Sequence, residues 1–336
     1  MRYPVLGAVA LCWPQLLAAQ HLHRLPATPQ TVAYGYYSAA ARPALRIASG
    51  DTIEVETLIT SRPDRLEAAG VPSGEVEQSL RDIVTQVTDR GPGGHILAGP
   101  VYVEGADSGD VLEVRILRID LALPYGYNGC SGFLKSNCEA GGGTRIIRLD
   151  RERMVGQFGP GIEIPLKPFF GSMGVAPPLD SGRVSSNPPG RHAGNLDNKE
   201  LVAGTTLFIP VHAKGALFEI GDGHAAQGDG EVDQTAIETS LRGRLQLLVR
   251  KDLHLAWPRG ETPTHFIAMG MDPDLTKATQ IAVQEAVDLV AGYKGWSRME
   301  AYRFVSVACD VRVTQLVDGS VGVHVMIPKA ILGTRP

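Results

Sequence analysis

Three times in this 336-residue chain a glycine-containing turn runs straight into an alternating strand-like segment. The copies are Ser49–Glu56 (SGDTIEVE), Ser108–Ile116 (SGDVLEVRI) and the weaker Ala203–Pro210 (AGTTLFIP). In each, glycine supplies the turn, and the residues after it alternate apolar with polar or β-branched types. That two-residue period places successive side chains on opposite faces of a strand. Further strand-forming runs occur at Gly99–Val103, Lys214–Ile220, Arg244–Val249, Thr264–Met269, Val311–Val317 and Val321–Ile327. So many short strands, with Greek-key-like spacing, predict a mainly β fold of curved sheets forming a β-sandwich or barrel. The 39 glycines and 23 prolines are scattered rather than periodic, which fits a turn-rich globular chain.

Helical periodicity is confined to a few places. Over Glu75–Asp89, Leu80, Ile83, Val84 and Val87 fall on one face. Over Asp274–Ala291, Ile281, Ala282, Glu285, Ala286, Leu289 and Val290 recur at three- and four-residue steps, with Gly292 placed as a stop. Ser297 is positioned to cap a second short helix, with Glu300 three residues on in capping-box position. With the two terminal strands, these helices predict a small α/β portion around residues 272–332, attached to one β-rich body that begins near residue 20.

The formal net charge of −4 comes without a basic patch, which argues against nucleic acid as a partner. No GxGxxG follows a strand and no GxxxxGK[ST] is present, so nucleotide binding is unsupported. Residues 1–19 carry Arg2, an apolar stretch from Val5 to Cys12 and small residues at Ala18-Ala19. This is the pattern of a secretory signal peptide cleaved near Ala19, and it predicts export. No other apolar run is long enough to span a bilayer. In an oxidising compartment, Cys130 and Cys138 (NGCSGFLKSNC) have a spacing that can close a small disulfide loop, the alternative being two free thiols. Cys309, in an apolar run, reads as an inert core thiol.

The chemistry concentrates in GDGHAAQGDGE, Gly221–Glu231, which holds Asp222, His224, Gln227, Asp229 and Glu231 between two GDG tripeptides. Histidine with carboxylates suits a divalent metal. The competing reading is a pair of tight turns whose aspartates bond their own backbone. Neither HExxH nor the calcium loop of an EF-hand is present. A second polar loop, Arg191–Asp197 (RHAGNLD), offers His192, Asn195 and Asp197 to the same site or, as the plain alternative, a capped turn. Glu104, after the apolar strand at Gly99–Val103, and Glu56 are carboxylates at strand ends. There is no GxSxG elbow; Ser172 in GSMG has no supporting signature. His95, His212, His254, His265 and His324 are dispersed among strand-like runs and read as surface or core residues.

Seven segments, in order, resemble the acetamidase/formamidase family of amidohydrolases from about Ala44 to Leu332. They are SGDTIEVET, AGPVYVEGADSGDVLEVRI, PFFGSMGVAP, HAGNLDN, ALFEIGDGHAAQGDGEV, AVDLVAGYKGWSRMEAYRFVSVACDVRVTQLVDG and VHVMIPKAIL. The resemblance implies a β-rich sandwich or barrel with a small α/β section. It implies hydrolysis of the C–N bond of short amides of the formamide or acetamide type, and in some relatives of γ-lactams. It also implies a divalent metal, zinc or calcium, and a homo-oligomer. The matching polar positions are Glu104, His192, Asn195, Asp197, Asp222, His224, Gln227 and Glu231. From their chemistry, His224, Asp222 and Asp197 are expected to hold the metal. Glu231 is expected to move the proton, with His192, Asn195, Gln227 and Glu104 around the substrate and the N–H groups of the GDG turns facing the developing oxyanion. Against the family pattern stand the leader, His95-Ile96-Leu97-Ala98 before the Gly-Pro of strand Gly99–Val103, the Glu75–Asp89 segment and the Cys130–Cys138 loop. A rival of another class is an exported, non-catalytic metal- or carbohydrate-binding β-sandwich.

Overall fold

The computed structural model describes residues 21–140 and 143–334; the leader reading at residues 1–19 lies outside the described residues. All three turn-strand copies become strands of one nine-stranded sheet. Its order is Leu22–Leu25, Thr52–Thr57, Leu241–Arg250, Val111–Leu121, Thr206–Pro210, Arg259–Glu261, His265–Asp272, Val321–Pro328, Asp310–Gln315. A second sheet of six strands centres on Phe218–His224. That strand lies antiparallel between Phe169–Gly174 and Ile96–Val103, and Ala193–Asn195 extends the first of these neighbours. A four-stranded sheet from Tyr125–Asn128 to Ile162–Pro165 and a two-stranded pair complete the β framework. The fold is thus mainly β with open sheets: each strand order runs from edge to edge and none closes on itself.

The alternation read from sequence explains how the large sheets meet. Ile53, Val55, Leu112, Val114 and Leu245 point inward from the nine-stranded sheet. They pack on Val101, Phe170, Met173, Phe218 and Ile220 from the six-stranded one. All are almost fully buried, and burying a side chain of this size contributes about 1.5–3 kcal/mol. A smaller cluster seats the helices Pro63–Ala68 and Gln78–Gln86 through Leu66, Leu80 and Ile83 against Ile59 and Tyr125. The predicted Glu75–Asp89 helix is shorter than its pattern. Val76 is extended and the Glu77 carboxylate turns inward to accept from Ser240 Oγ at 2.5 Å, so the helix starts only at Gln78.

The C-terminal α/β portion forms as expected. Asp274 caps Leu275–Lys294 by accepting from the N–H groups of Thr276 and Lys277. The helix passes through Gly292 and stops at Gly295, which takes the left-handed conformation (φ 69°). Ala278, Ala282 and Ala286 let this helix lie directly on the sheet. A Cβ on Gly270 would fall 2.4 Å from Ala278 O and Ala282 N, so the close approach requires glycine there. Ser297 caps Arg298–Ala308 by accepting from Glu300 N–H. Cys309 follows that helix, half-buried, and burial with Asp310 nearby pushes its thiol up to about 11, consistent with inertness. Cys130 and Cys138 are bridged. Among the described residues, no helix is long and apolar enough to cross a membrane.

Candidate metal centre

The first GDG is not a turn. The strand expected at Lys214–Ile220 begins only at Phe218, after positive-φ residues at Gly215, Ala216 and Leu217, and continues through His224. Gly221 and Gly223 are in the ladder opposite Ser172 and Phe170. Their missing side chains admit neighbouring backbone: a Cβ would lie 2.6 Å from Ile96 O and 2.5 Å from Thr239 O respectively. Positive φ falls instead on the acids themselves, Asp222 (55°), Glu231 (42°) and Asp197 (48°). Left-handed backbone at non-glycine residues is costly, and it clusters where a side chain must be aimed.

What these turns aim at is a cavity of about 70 Å³. Its walls carry Asp197, Asp222, Glu231, Glu238, Asp318 and His95, with Thr60, Tyr127, Asn195, Gln234 and Thr235 between them. His224 lies in the same cluster. Its Nε2 is 3.2 Å from Asp222 Oδ2, 3.3 Å from Glu238 Oε1 and 4.0 Å from Asp197 Oδ1. His95 Nε2 reaches Asp222 Oδ2 at 3.7 Å while its Nδ1 meets Ser186 Oγ at 2.9 Å. Thr60 Oγ1 donates to Asp222 Oδ1 at 2.9 Å, and Asn195 Nδ2 to Asp197 Oδ2 at 2.8 Å. Gln227 sets the His224 ring. Its Nε2 donates to Asp197 O at 2.7 Å, so its Oε1, 2.9 Å from Nδ1, accepts the imidazole proton. Nε2 is thereby turned to the carboxylates, the arrangement by which outer groups orient a ligating histidine. Phe169 packs edge-on against the same ring at 5.1 Å. Gly171 provides the space: a Cβ there would sit 2.5 Å from Asp197 Oδ1, 2.6 Å from Asp222 Oδ2 and 2.9 Å from His224 Cε1.

The electrostatics are those of acids and imidazoles buried together. Burial, reinforced by the neighbouring carboxylates, holds Asp197 and Glu231 well above the usual carboxylate range; burial also raises Glu238 and Asp318. Burial acts the same way on Asp222, but His95 and His224 outweigh it and pull that carboxyl well down. Burial works against a charged His224, yet Glu238 and Asp222 raise it well above an ordinary imidazole. Asp197 Oδ1, Asn195 Oδ1 and Glu238 Oε2 are buried acceptors with no protein donor. Two three-donor sets lie within ligand-sharing distance: Asp222, His224 and Glu238, and Asp197, His224 and Glu231. The described residues thus present carboxylate and imidazole groups that fit a divalent metal.

Of the residues expected from sequence, Asn195, Asp197, Asp222, His224, Gln227 and Glu231 come together. Glu104 does not: it sits in the turn after Ile96–Val103, exposed and paired with Arg46 at 3.2 Å. His192 packs edge-on against Tyr37 at 5.1 Å, and burial with His212 nearby lowers its pKa to about 4; it contacts none of the carboxylates. Asp229 faces outward to Lys199. The N–H of Gly230 is taken by Thr314 O and that of Glu231 by Gly228 O, so these turn amides are not free for an oxyanion. Ser172 is buried and bonded to Tyr37 Oη at 2.9 Å. His95, Glu238, Asp318 and Thr60 were not singled out as site residues from sequence. His95 heads a strand, Glu238 precedes one, and Asp318 lies in the terminal hairpin, each without a local motif.

A model of the acetamidase/formamidase family matches residues 67–184 and 180–334, nearly the whole described chain. A formamidase from Methylophilus methylotrophus is 27% identical over 48% of this chain and 51% of its own length. An acetamidase from Mycolicibacterium smegmatis is 26% identical over 41% of this chain and 49% of its own length. The chain therefore spans about half the length of these curated relatives. A solved acetamidase from Yersinia enterocolitica superposes with a TM-score of 0.79 at 27% identity, covering 94% of both chains. Fold and family match agree, and the chain belongs to the acetamidase/formamidase family.

Proposed function

We infer that this protein hydrolyses the C–N bond of short primary amides of the formamide or acetamide type, giving a carboxylate and ammonia. The observation that carries this is the small cavity in which five carboxylates and two imidazoles converge. Its unpartnered acceptors, Asp197 Oδ1, Asn195 Oδ1 and Glu238 Oε2, favour a cation there. Asp222, His224 and Glu238 would hold it, with Asp197 and Glu231 forming a second donor set around the same His224. The His224 imidazole among the donors favours zinc over calcium, which prefers oxygen ligands throughout. When bound, such an ion supplies Lewis acidity toward water and a carbonyl oxygen. Gln227 keeps the His224 Nε2 lone pair directed inward, and Thr60 keeps Asp222 fixed.

Glu231, on the cavity wall beside Asp197 and His224, is placed to carry a proton between partners. It takes a proton from the attacking water as the C–O bond forms, then delivers it to the nitrogen as the C–N bond breaks. Asn195 Nδ2 steadies Asp197 beside it. The test is ammonia release from a panel of short amides, with and without a chelator. Chelator-sensitive release, restored by zinc, is expected; a folded, zinc-loaded protein that releases no ammonia from any of them refutes the activity. Glu231→Gln is expected to lower kcat by about 100-fold or more, and full retained activity removes its role.

Export belongs to the same reading. The leader pattern and the bridged Cys130–Cys138 pair support it, since such bridges persist in oxidising compartments. Homo-oligomerisation is supported by exposed Met299, Tyr302 and Val307 on the helix Arg298–Ala308. Fractionation of the native host and light scattering of the purified protein test the two.

A further inference from the structure

The carboxylate-lined cavity is too small for anything beyond the reacting group. At about 70 Å³ it admits a cation, a water and an amide head, so a longer substrate extends out of it, and Gln234 and Thr235 stand at one way out. Those two residues also line a much larger groove of about 650 Å³ on the outside. One wall of the groove is Arg65, on the helix Pro63–Ala68; the other is the disulfide loop with Ser131 and Lys135.

This outer wall is built rather than draped. Ser131 N–H donates to Asp233 O at 3.1 Å and Phe133 N–H to Val232 O at 2.8 Å. Ser131 Oγ donates to Gln234 Oε1 at 3.1 Å. A Cβ on Gly132 would lie 2.6 Å from Val232 O, so the loop presses on the segment that follows Glu231. Arg65 links the two spaces. Its guanidinium lies over Tyr127 at 5.6 Å, and Tyr127, which lines the inner cavity, donates from its hydroxyl to Thr60 O. Among the described residues Arg65 hydrogen-bonds just a neutral hydroxyl, Thr144 Oγ1, at 3.0 Å. Among the described residues neither Arg65 nor Lys135 has an ion-pair partner, whereas most arginines of this chain do. Glu139 is the one acidic residue lining the groove, which leaves it with an excess positive charge beside a cavity crowded with carboxylates.

From this juxtaposition we propose that the substrate is a primary amide carrying a carboxylate a few carbons away, a monoamide of a dicarboxylic acid. The proposal rests on the amidase reading above. The acidic cavity disfavours the carboxylate end and Arg65 with Lys135 attract it, so the molecule enters amide first and is held by its tail. Hydrolysis adds water across the C–N bond and releases ammonia and the dicarboxylate.

The test compares the zinc-loaded protein on succinamate, glutaramate and adipamate with uncharged ketone analogues of the same lengths, such as 4-oxopentanamide. At least one acid is expected to exceed its neutral analogue in kcat/KM by about tenfold or more, the effect of one charge-assisted hydrogen bond. The preference is expected to shrink at about 0.5 M salt. Arg65→Gln and Lys135→Gln are each expected to cut the ratio by about threefold or more, and the double variant to abolish it. Acids and neutral analogues hydrolysed within about twofold of each other, by a protein that hydrolyses acetamide, would overturn the proposal and leave the amidase reading standing. Should no amide be hydrolysed, the amidase reading fails. Calorimetry then decides the groove: glutaramate binding lost in the double variant supports it, and equal binding of acid and analogue overturns it.

Discussion

Replacing Gly171 by alanine puts a methyl group where the metal donors meet. At 2.5 Å, Asp197 Oδ1 must withdraw by about 0.9 Å to regain the 3.4 Å of ordinary contact, and Asp222 Oδ2, at 2.6 Å, by about 0.8 Å. A metal site tolerates errors of about 0.2 Å in its ligand distances. The donors cannot retreat freely, because Asp197 is tied to Asn195 and Asp222 to Thr60. Loss of a single orienting partner usually costs about 10–100-fold in affinity. With two donors displaced together, zinc affinity is expected to fall by about 100-fold or more, and chelator-sensitive ammonia release with it. Overpacking adds about 1–3 kcal/mol of destabilisation, visible as a Tm lowered by several degrees while the β-sheet circular dichroism is kept. Gly228→Ala is the control, since a Cβ there meets nothing within 4 Å; its stability is expected to stay within about 0.5 kcal/mol of the parent. Competition with a chromophoric chelator gives the affinity. A Gly171→Ala protein that binds zinc as tightly as the parent refutes the placement of the site.

Other outcomes follow from the same geometry. In the metal-stripped protein, Glu231 and Asp197 are raised chiefly by burial and Glu219 by burial alone, while Glu238 and Asp222 raise His224 against its burial. Groups raised in the folded state stabilise it at low pH and lose that contribution as pH rises through their folded values. His192 and His324, both lowered to about 4 by burial, act oppositely, but only below the ordinary imidazole value of 6.5. Above pH ~7 the stripped protein's Tm is therefore expected to fall with rising pH, and zinc to reverse the slope, because binding displaces the protons; a stripped-protein Tm that climbs from pH ~7 to ~9 contradicts this. Cutting the disulfide with Cys130→Ser plus Cys138→Ser is expected to cost up to about 2.5 kcal/mol from loop entropy, measured by denaturant melts. Thiol titration of the unfolded, unreduced chain after residue 20 is expected to find one free cysteine, Cys309.

The framework was legible because it is local. Each Ser-Gly-Asp or Ala-Gly-Thr turn carries its own chemistry and period, and all three resulting strands share a sheet. The cap at Ser297 was equally local. Half of the site was legible for the same reason, since Asp222, His224, Gln227 and Glu231 lie within ten residues of one another. The rest is long-range. His95 joins the cluster because the strand it heads, Ile96–Val103, flanks Phe218–His224; Glu238 joins through an isolated bridge to His224, and Asp318 arrives from the far end of the nine-stranded sheet's final hairpin. Glu104 misled because a carboxylate after an apolar strand has the same local sequence whether it faces solvent or a cavity. His192 stands three residues from Asn195, but Ala193 and Gly194, both at positive φ, turn the chain between them.

The docking of Gly230 between Thr314 and Leu316 gives the terminal hairpin a part in assembly as well as in chemistry. Its backbone holds the loop that aims Glu231, and its turn brings Asp318 to the cavity rim. Contacts so far apart in sequence form late in folding. Until residues 314–318 have docked, the loop that carries Glu231 is unanchored and Asp318 is absent from the rim, so the cavity is assembled only when this hairpin closes on it.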